Sequence, residues 1–264
     1  MPKLAEASLT SAERRTLERL VELLRRELAD DLHAVWLYGS RARGEQLGEG
    51  SDVDILVIGE DGERTQELAT RLLGEAAEAE GVSPWSFSVL GWDLEWLANR
   101  RGIESFFVQE VERDKLVLAG GEDPLAGAQA PEVHGPSGFD GMSPRSAESM
   151  RLARESLSAA RVLTRQGPAT PSVHDSYYAM LYAARAALSE RDRYAKTHGG
   201  TWNLFAEEFV RGGEFDPELL SRARAAQELR WKTDYDAVQV SMDDARALLA
   251  DAERFVQSVA AMLD

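Results

Sequence analysis

WLYGSRARGEQLGEGSDVDILVIG, residues 36–59, is the stretch whose reading decides the fold. An apolar run from Ala34 to Tyr38 ends in the Gly39-Ser40 turn, Arg41 and Arg43 follow, and Ser51-Asp52-Val-Asp54 opens a second apolar run, Ile55 to Ile58. The pattern predicts strands at 33–38 and 53–58 with a polar loop between them. Side chains alternate across a strand, so Asp52 and Asp54 point the same way. Two carboxylates on one face repel each other unless a cation sits between them. Hard oxygen ligands of this kind suit Mg²⁺ arriving with a nucleoside triphosphate. Gly39 lets the backbone approach a phosphate, and Ser40 offers it a hydroxyl and an N–H. Arg41 and Arg43 are candidate phosphate contacts, Arg41 the more so because it directly follows the turn. The competing reading pairs them with loop acids such as Glu45 or Glu49.

Outward from this stretch, Thr10-Ser-Ala-Glu13 has the form of a capping box opening a helix to about Asp30, with Leu17, Leu20, Val21, Leu23, Leu24 and Leu28 at helical spacing. A second helix is expected over 63–80, a third strand over Pro84–Leu90, short helices near 92–100 and 103–113, and a closing extended segment at Leu116–Leu118. Residues 121–145 are rich in Gly, Pro and Ala and form a linker. Beyond it the chain has helical periodicity to the end, with helices near 146–165, 172–190, 200–211, 216–233 and 242–263. The expected organisation is therefore an α/β (α+β) domain with a small mixed sheet at 1–120, the linker, and an all-α bundle at 146–264.

Composition narrows the chemistry. The 264 residues are 44% hydrophobic, enough for a buried core, and contain no cysteine, which excludes disulfides, thiolate metal sites and cysteine nucleophiles. The net charge is −16, and residues 1–120 hold most of it, with 14 Lys+Arg against 24 Asp+Glu. Such a surface disfavours non-specific binding to nucleic-acid backbones. The N-terminal stretch has no apolar signal region, and no apolar run approaches about 18 residues, so no membrane association is expected and a cytoplasmic location is.

The combination of strand, GSRARG, SDVD and strand resembles the nucleotidyltransferase superfamily that includes DNA polymerase β. The resemblance is nearest to its minimal toxin–antitoxin branch and to the aminoglycoside adenylyltransferases. It implies that Asp52 and Asp54 are catalytic and hold Mg²⁺ against the triphosphate of ATP, and that Gly39, Ser40, Arg41 and Arg43 bind the nucleotide. The implied reaction moves a nucleoside monophosphate to a hydroxyl of a protein or small molecule. The family's third carboxylate would fall on the strand at 84–90, at Ser86 with Ser88 next on the same face. Neither is an acid, though Asp93 and Glu95 follow shortly after. This departure opens the alternative of a weak or inactive nucleotide-binding regulatory module.

In the helical half, Ser176-Tyr-Tyr-Ala-Met-Leu-Tyr182, Lys196-Thr-His-Gly199, Phe205-Ala-Glu-Glu-Phe-Val210 and Arg230-Trp-Lys-Thr-Asp-Tyr235 together resemble the HEPN family. That resemblance implies a homodimer through the bundle and places ribonuclease chemistry among the alternatives. The ribonuclease members carry an Arg followed four to six residues later by His. Arg230 is present here, but Tyr235 stands in the histidine's place. Arg193 to His198 satisfies the spacing in a loop, where His198 is expected to cap the next helix or anchor the loop. Tyr177, Tyr178 and Tyr182, at helical spacing, are expected to serve packing. Arg230, Asp234 and Tyr235 form either a polar network between helices or the substrate side of a cleft.

Overall fold

The structure is a computed structural model that describes residues 7–45, 52–126, 139, 141–235 and 238–263. The chain divides into two units, residues 1–132 and 133–264. The division falls inside the stretch expected to be a linker, of which residues 127–138 and 140 lie outside the described residues.

The first unit runs α1 (Ser11–Leu28), β1 (Leu32–Tyr38), a one-turn helix α2 (Gly39–Ala42), β2 (Val53–Gly59), α3 (Gly62–Ala79), β3 (Phe87–Asp93), α4 (Leu94–Gly102), α5 (Phe106–Asp114) and β4 (Leu116–Gly120). The capping box forms as expected: Thr10 Oγ1 accepts from the Glu13 N–H at 3.2 Å, and the Thr10 N–H donates to Glu13 Oε2 at 2.7 Å. The sheet order is β3-β2-β1-β4, with β2 and β3 parallel and the other pairs antiparallel, which makes it small and mixed. Alternation sorts its side chains into two cores. Val35, Leu37, Val53, Ile55 and Val57 pack with α1 and α3. Ala34, Trp36, Leu56 and Ile58 pack with Leu97 of α4 and Val108 and Val111 of α5. Asp52 and Asp54 share the parity of Leu56 and Ile58, so they belong to the α4/α5 face, at the end of the sheet where β2 begins.

The third strand differs from expectation. Pro84–Ser86 form a 3₁₀ turn and β3 occupies Phe87–Asp93. Proline has no N–H and fixes φ near the value of a helical turn, so it suits the first residue of that turn better than a ladder. The shift places Asp93 at the far end of β3, opposite Gly59, while Ser88 pairs with Asp54.

The second unit is a bundle of α6 (Pro144–Gln166), α7 (Ala169–Glu190), α8 (His198–Phe205), α9 (Pro217–Tyr235) and α10 (Met242–Leu263). The α7 helix is its centre. Val173, Tyr177, Met180, Leu181 and Leu188 are buried, and Ala179, Ala183, Ala184, Ala186 and Ala187 let neighbouring helices approach closely. Trp202, Phe205, Phe209, Phe215 and Phe255 form an aromatic cluster at one side, with Phe215 and Phe255 centroids 4.8 Å apart. The single helix expected at 200–211 is instead α8 followed by a π-helical turn, Ala206–Val210. That wider turn continues from Phe205 and carries Phe209, whose ring centre lies 4.9 Å from that of Phe205 with the rings tilted by 41°.

Candidate functional site

Where β1 ends, Gly39 turns the chain with φ +77°, in the left-handed region open to glycine. A Cβ at this position would stand 2.6 Å from Asp54 Oδ2, so the backbone of the turn lies directly against that carboxylate. Tyr38 and Asp54 are opposite one another in the antiparallel ladder, which puts phenol and carboxylate on one face. Asp52 precedes β2 and is exposed, whereas Asp54 is half-buried. Their Cα atoms are about 6.5–7 Å apart at strand rise, and their side chains point the same way. Burial raises the Asp54 carboxyl above the ordinary carboxylate range, and the charge of Asp52 adds to the rise. Burial also pushes the Tyr38 phenol upward, with the Asp54 charge again second.

Among the described residues neither aspartate makes an ion pair. Two hard oxygen donors, mutually repelling and uncompensated, beside a glycine turn suit a divalent cation, and Asp52 and Asp54 would hold Mg²⁺. No cluster of three or more Asp, Glu or His side chains close enough to share a metal occurs among the described residues. Ser88, not Ser86, is the ladder partner of Asp54, and Ser86 lies in the turn before β3. Asp93 stands five residues beyond Ser88, about 16 Å along the strand. It caps α4 by accepting from the Trp96 N–H at 2.7 Å, so it does not replace the absent acid. Glu95 lies in the first turn of α4, beyond Asp93.

Ser40 sits in the one-turn α2, half-buried. The two arginines are engaged elsewhere. Arg41 donates to the Ser8 carbonyl at 2.8 Å and to Glu13 Oε1 at 3.0 Å, joining the turn to the start of α1. Arg43 donates to Glu45 at 2.6 and 3.1 Å and to Asp114 Oδ2 at 2.6 Å, joining the loop to the end of α5. Together Arg113 and Arg43 hold the Asp114 carboxyl down to about 2. Pairing with loop acids, the competing expectation, is what Arg43 does with Glu45; Glu49 lies outside the described residues.

In the second unit, Arg230 donates to Asp234 Oδ2 at 2.6 Å, one turn along α9, and the other oxygen of Asp234 meets His174 Nε2 of α7 at 3.0 Å. This is a polar network between helices; the side chain of Tyr235 lies outside the described residues. His198 is the first residue of α8, and the capping role belongs to Thr197, whose hydroxyl accepts from the Gly200 N–H at 3.0 Å. His198 Nδ1 hydrogen-bonds the hydroxyl of fully buried Tyr177 at 2.8 Å, so it anchors the loop. Tyr38, Glu13, Asp114, His174 and Arg185 were not among the expected site residues. Only the helical spacing of His174, Tyr178, Tyr182 and Arg185 on one face of α7 was there to signal the last group.

A mixed sheet carrying an aspartate pair beside a Gly-Ser turn, followed in the chain by a helical bundle, has the form of a nucleotide-transfer domain ahead of an α-helical domain. Residues 17–117 match the nucleotidyltransferase domain family, and residues 146–262 match the HEPN domain family. A UPF0332 protein of Gloeobacter violaceus is 36% identical over 118 residues, which are 44% of this chain and 94% of that protein. A candidate toxin of Methanocaldococcus jannaschii is 31% identical over 111 residues, 42% of this chain and 82% of its own. A second candidate toxin of that organism is 33% identical over 81 residues, 30% of this chain and 55% of its own. The chain belongs to the family of HEPN proteins that includes the UPF0332 relatives, with a nucleotidyltransferase domain ahead of the HEPN domain. No helix among the described residues is long and apolar enough to cross a membrane.

Proposed function

We propose that the first unit is an Mg²⁺-dependent nucleotidyltransferase that moves AMP from ATP to a hydroxyl of a protein or small molecule. The observation that carries this reading is the uncompensated Asp52/Asp54 pair against the backbone of Gly39. In the reaction the acceptor oxygen attacks the α-phosphorus and the bond from that phosphorus to the bridging oxygen breaks. Pyrophosphate leaves, and the hydroxyl proton passes to a carboxylate or to water. Bound Mg²⁺ supplies positive charge against the triphosphate. Asp52 and Asp54 hold the ion, Gly39 allows close approach of the phosphate chain, and Ser40 donates a hydrogen bond to it. With Arg41 and Arg43 turned to Glu13, Glu45 and Asp114, phosphate charge is met chiefly by the ion.

A second reading is a nucleotide-binding regulatory module of toxin–antitoxin type. It is favoured by Ser88, which stands beside Asp54 without a carboxylate, and by the relatives named as toxins. One experiment separates the two: ATP binding and pyrophosphate release with Mg²⁺, in wild type and in Asp52→Ala/Asp54→Ala. Turnover abolished by the double substitution supports the transferase. Binding without turnover supports the regulatory module. If neither binding nor turnover depends on the aspartates, both readings fail.

A further inference from the structure

The Gly39-Ser40 turn is held from both faces of the sheet, and the two holds are unequal. On the α5 side Arg43 carries the link, to Glu45 and to Asp114. Asp114 has a second cation, since Arg113 donates to it at 2.8 and 3.0 Å. On the α1 side the link is a closed ring of bonds. The Ser8 N–H donates to the Arg41 carbonyl at 2.9 Å, and Arg41 Nη1 donates back to the Ser8 carbonyl at 2.8 Å. Arg41 Nη2 donates to Glu13 Oε1 at 3.0 Å, and the Thr10 N–H donates to Glu13 Oε2 at 2.7 Å. Ala7 and Ala42 are buried in the same core beside this ring.

Glu13 joins the two halves of the ring. One carboxylate oxygen takes a donor from the helix start, the other a donor from the turn. Its side chain is 7% exposed and that of Arg41 20%, so water and salt screen the pair poorly. A capping box uses one acceptor at this position, and glutamine serves there as glutamate does. The second oxygen is therefore surplus to the cap, and it fixes Arg41, two residues beyond Gly39. The turn has little to hold it by itself. Its own bonds, from the Arg43, Gly44 and Glu45 N–H groups to the Gly39, Arg41 and Ser40 carbonyls, are each 3.2 Å. A helix of one turn does not stand alone in water, so α2 takes its geometry from the contacts around it.

We propose that Glu13 is a positioning residue of the nucleotide site: through Arg41 it fixes the Gly39-Ser40 backbone against Asp54, where the phosphate chain and its cation are received. The inference rests on the reading of the first unit as a nucleotidyltransferase. Glu13 acts through Arg41 and not by contact with the nucleotide. The effect passes along the chain to Gly39, whose backbone lies so close to Asp54 that a Cβ there would stand 2.6 Å from Oδ2. A shift of about 1 Å in the turn would reach the carboxylate and the ligand together.

Glu13→Gln isolates this role. The amide is isosteric with the carboxylate but has one oxygen and one NH₂, so it cannot accept from both Thr10 and Arg41. It is expected to keep the Thr10 N–H, as capping boxes do, and to release Arg41. Thr10→Ala is the converse: it removes the hydroxyl cap and leaves the Glu13–Arg41 pair. In the full chain, Mg·ATP is titrated calorimetrically well below the thermal midpoint, and amide hydrogen exchange is followed by NMR. Glu13→Gln should weaken Mg·ATP binding at least about tenfold and speed exchange of the Arg43 and Gly44 amides about tenfold or more. Thr10→Ala should speed exchange at the start of α1 and leave the affinity unchanged. Unchanged exchange in the turn of Glu13→Gln overturns the proposal, and so does faster exchange with wild-type affinity. An equal loss of affinity in Thr10→Ala overturns it too, as expected if Glu13 served only the helix start. Tighter binding by Glu13→Gln would make Arg41 a phosphate ligand that Glu13 holds back, which also overturns it. Wild-type protein that fails to bind Mg·ATP sinks the nucleotidyltransferase reading instead, and the exchange data still decide whether Glu13 sets the turn.

Discussion

Gly39→Ala is the substitution whose consequence the structure specifies most closely. The left-handed backbone at φ +77° costs an L-residue about 1–2 kcal/mol. The new methyl would stand 2.6 Å from Asp54 Oδ2, where ordinary contact begins at 3.4 Å, so the carboxylate must retreat by about 0.8 Å. Asp54 is half-buried with Tyr38 opposite it in the ladder, so it gives way by turning out of position. Mg²⁺ demands near-ideal ligand geometry, and displacements of about 1 Å at a reacting centre cost on the order of 10²-fold. The variant should therefore lose about 1–3 kcal/mol of stability in urea and at least about tenfold in Mg·ATP affinity by calorimetry. Gly74→Ala is the control: it lies in α3 with nothing within 4 Å of the added methyl. It should gain up to about 1 kcal/mol and bind Mg·ATP normally. Wild-type Mg·ATP affinity in Gly39→Ala would refute the argument that the turn and Asp54 form one site.

Three further outcomes follow from named contacts. Asp54→Asn should be more stable than wild type at neutral pH. The folded protein holds the Asp54 proton more tightly than the unfolded chain does, so its contribution falls as pH rises through the ordinary carboxylate range toward the raised value. Thermal midpoints should show that advantage vanish below the ordinary range, and an advantage persisting there would contradict it. Arg41→Ala should cost about 2–3 kcal/mol in urea unfolding, because it strands Glu13, whose side chain is only 7% exposed, and frees the Ser8 carbonyl; a loss below about 0.5 kcal/mol would leave Arg41 free for another role. His198 is held below the usual histidine range by burial, then by Arg185 and Arg230. Stability should therefore fall as pH drops through the ordinary histidine value toward the lowered one, since the unfolded chain takes up the proton first. His198→Gln should flatten that part of the stability–pH curve.

What the sequence disclosed and what it withheld divide along contact distance in the chain. The capping box of Thr10 and Glu13, the strands flanking Gly39 and Asp54, and the helices of the bundle follow from local chemistry, and a reader of the chain finds them there. The partners of Arg41 and Arg43 do not. Glu13 and Asp114 lie 28 and 71 positions away, and among 46 acids nothing in the spacing singles them out. The third strand slipped for a related reason. Pro84 opens a turn where alternation alone suggests a ladder, so Asp93 moved to the far end of the strand and Ser88 to the side of Asp54. In the bundle, Ala-rich packing around α7 draws the eye to the core, and the stripe that ends at Arg185 has meaning only once α8 and α9 deliver His198 and Arg230 to it.

Arg41 and Arg43 were the natural candidates to meet phosphate because they follow the turn, yet each has carboxylates within 3.0 Å. Releasing Arg41 to a nucleotide would strand Glu13, mostly buried at 7% exposure, at a cost that phosphate contact must exceed, whereas Asp114 would keep Arg113 if Arg43 let go. Among the described residues no acid is paired with Arg185, whose Nε has no hydrogen-bond partner. An anion gains the full value of that charge-assisted contact without breaking an existing pair. Position next to a motif therefore predicts less about anion binding than the balance of charge around each guanidinium.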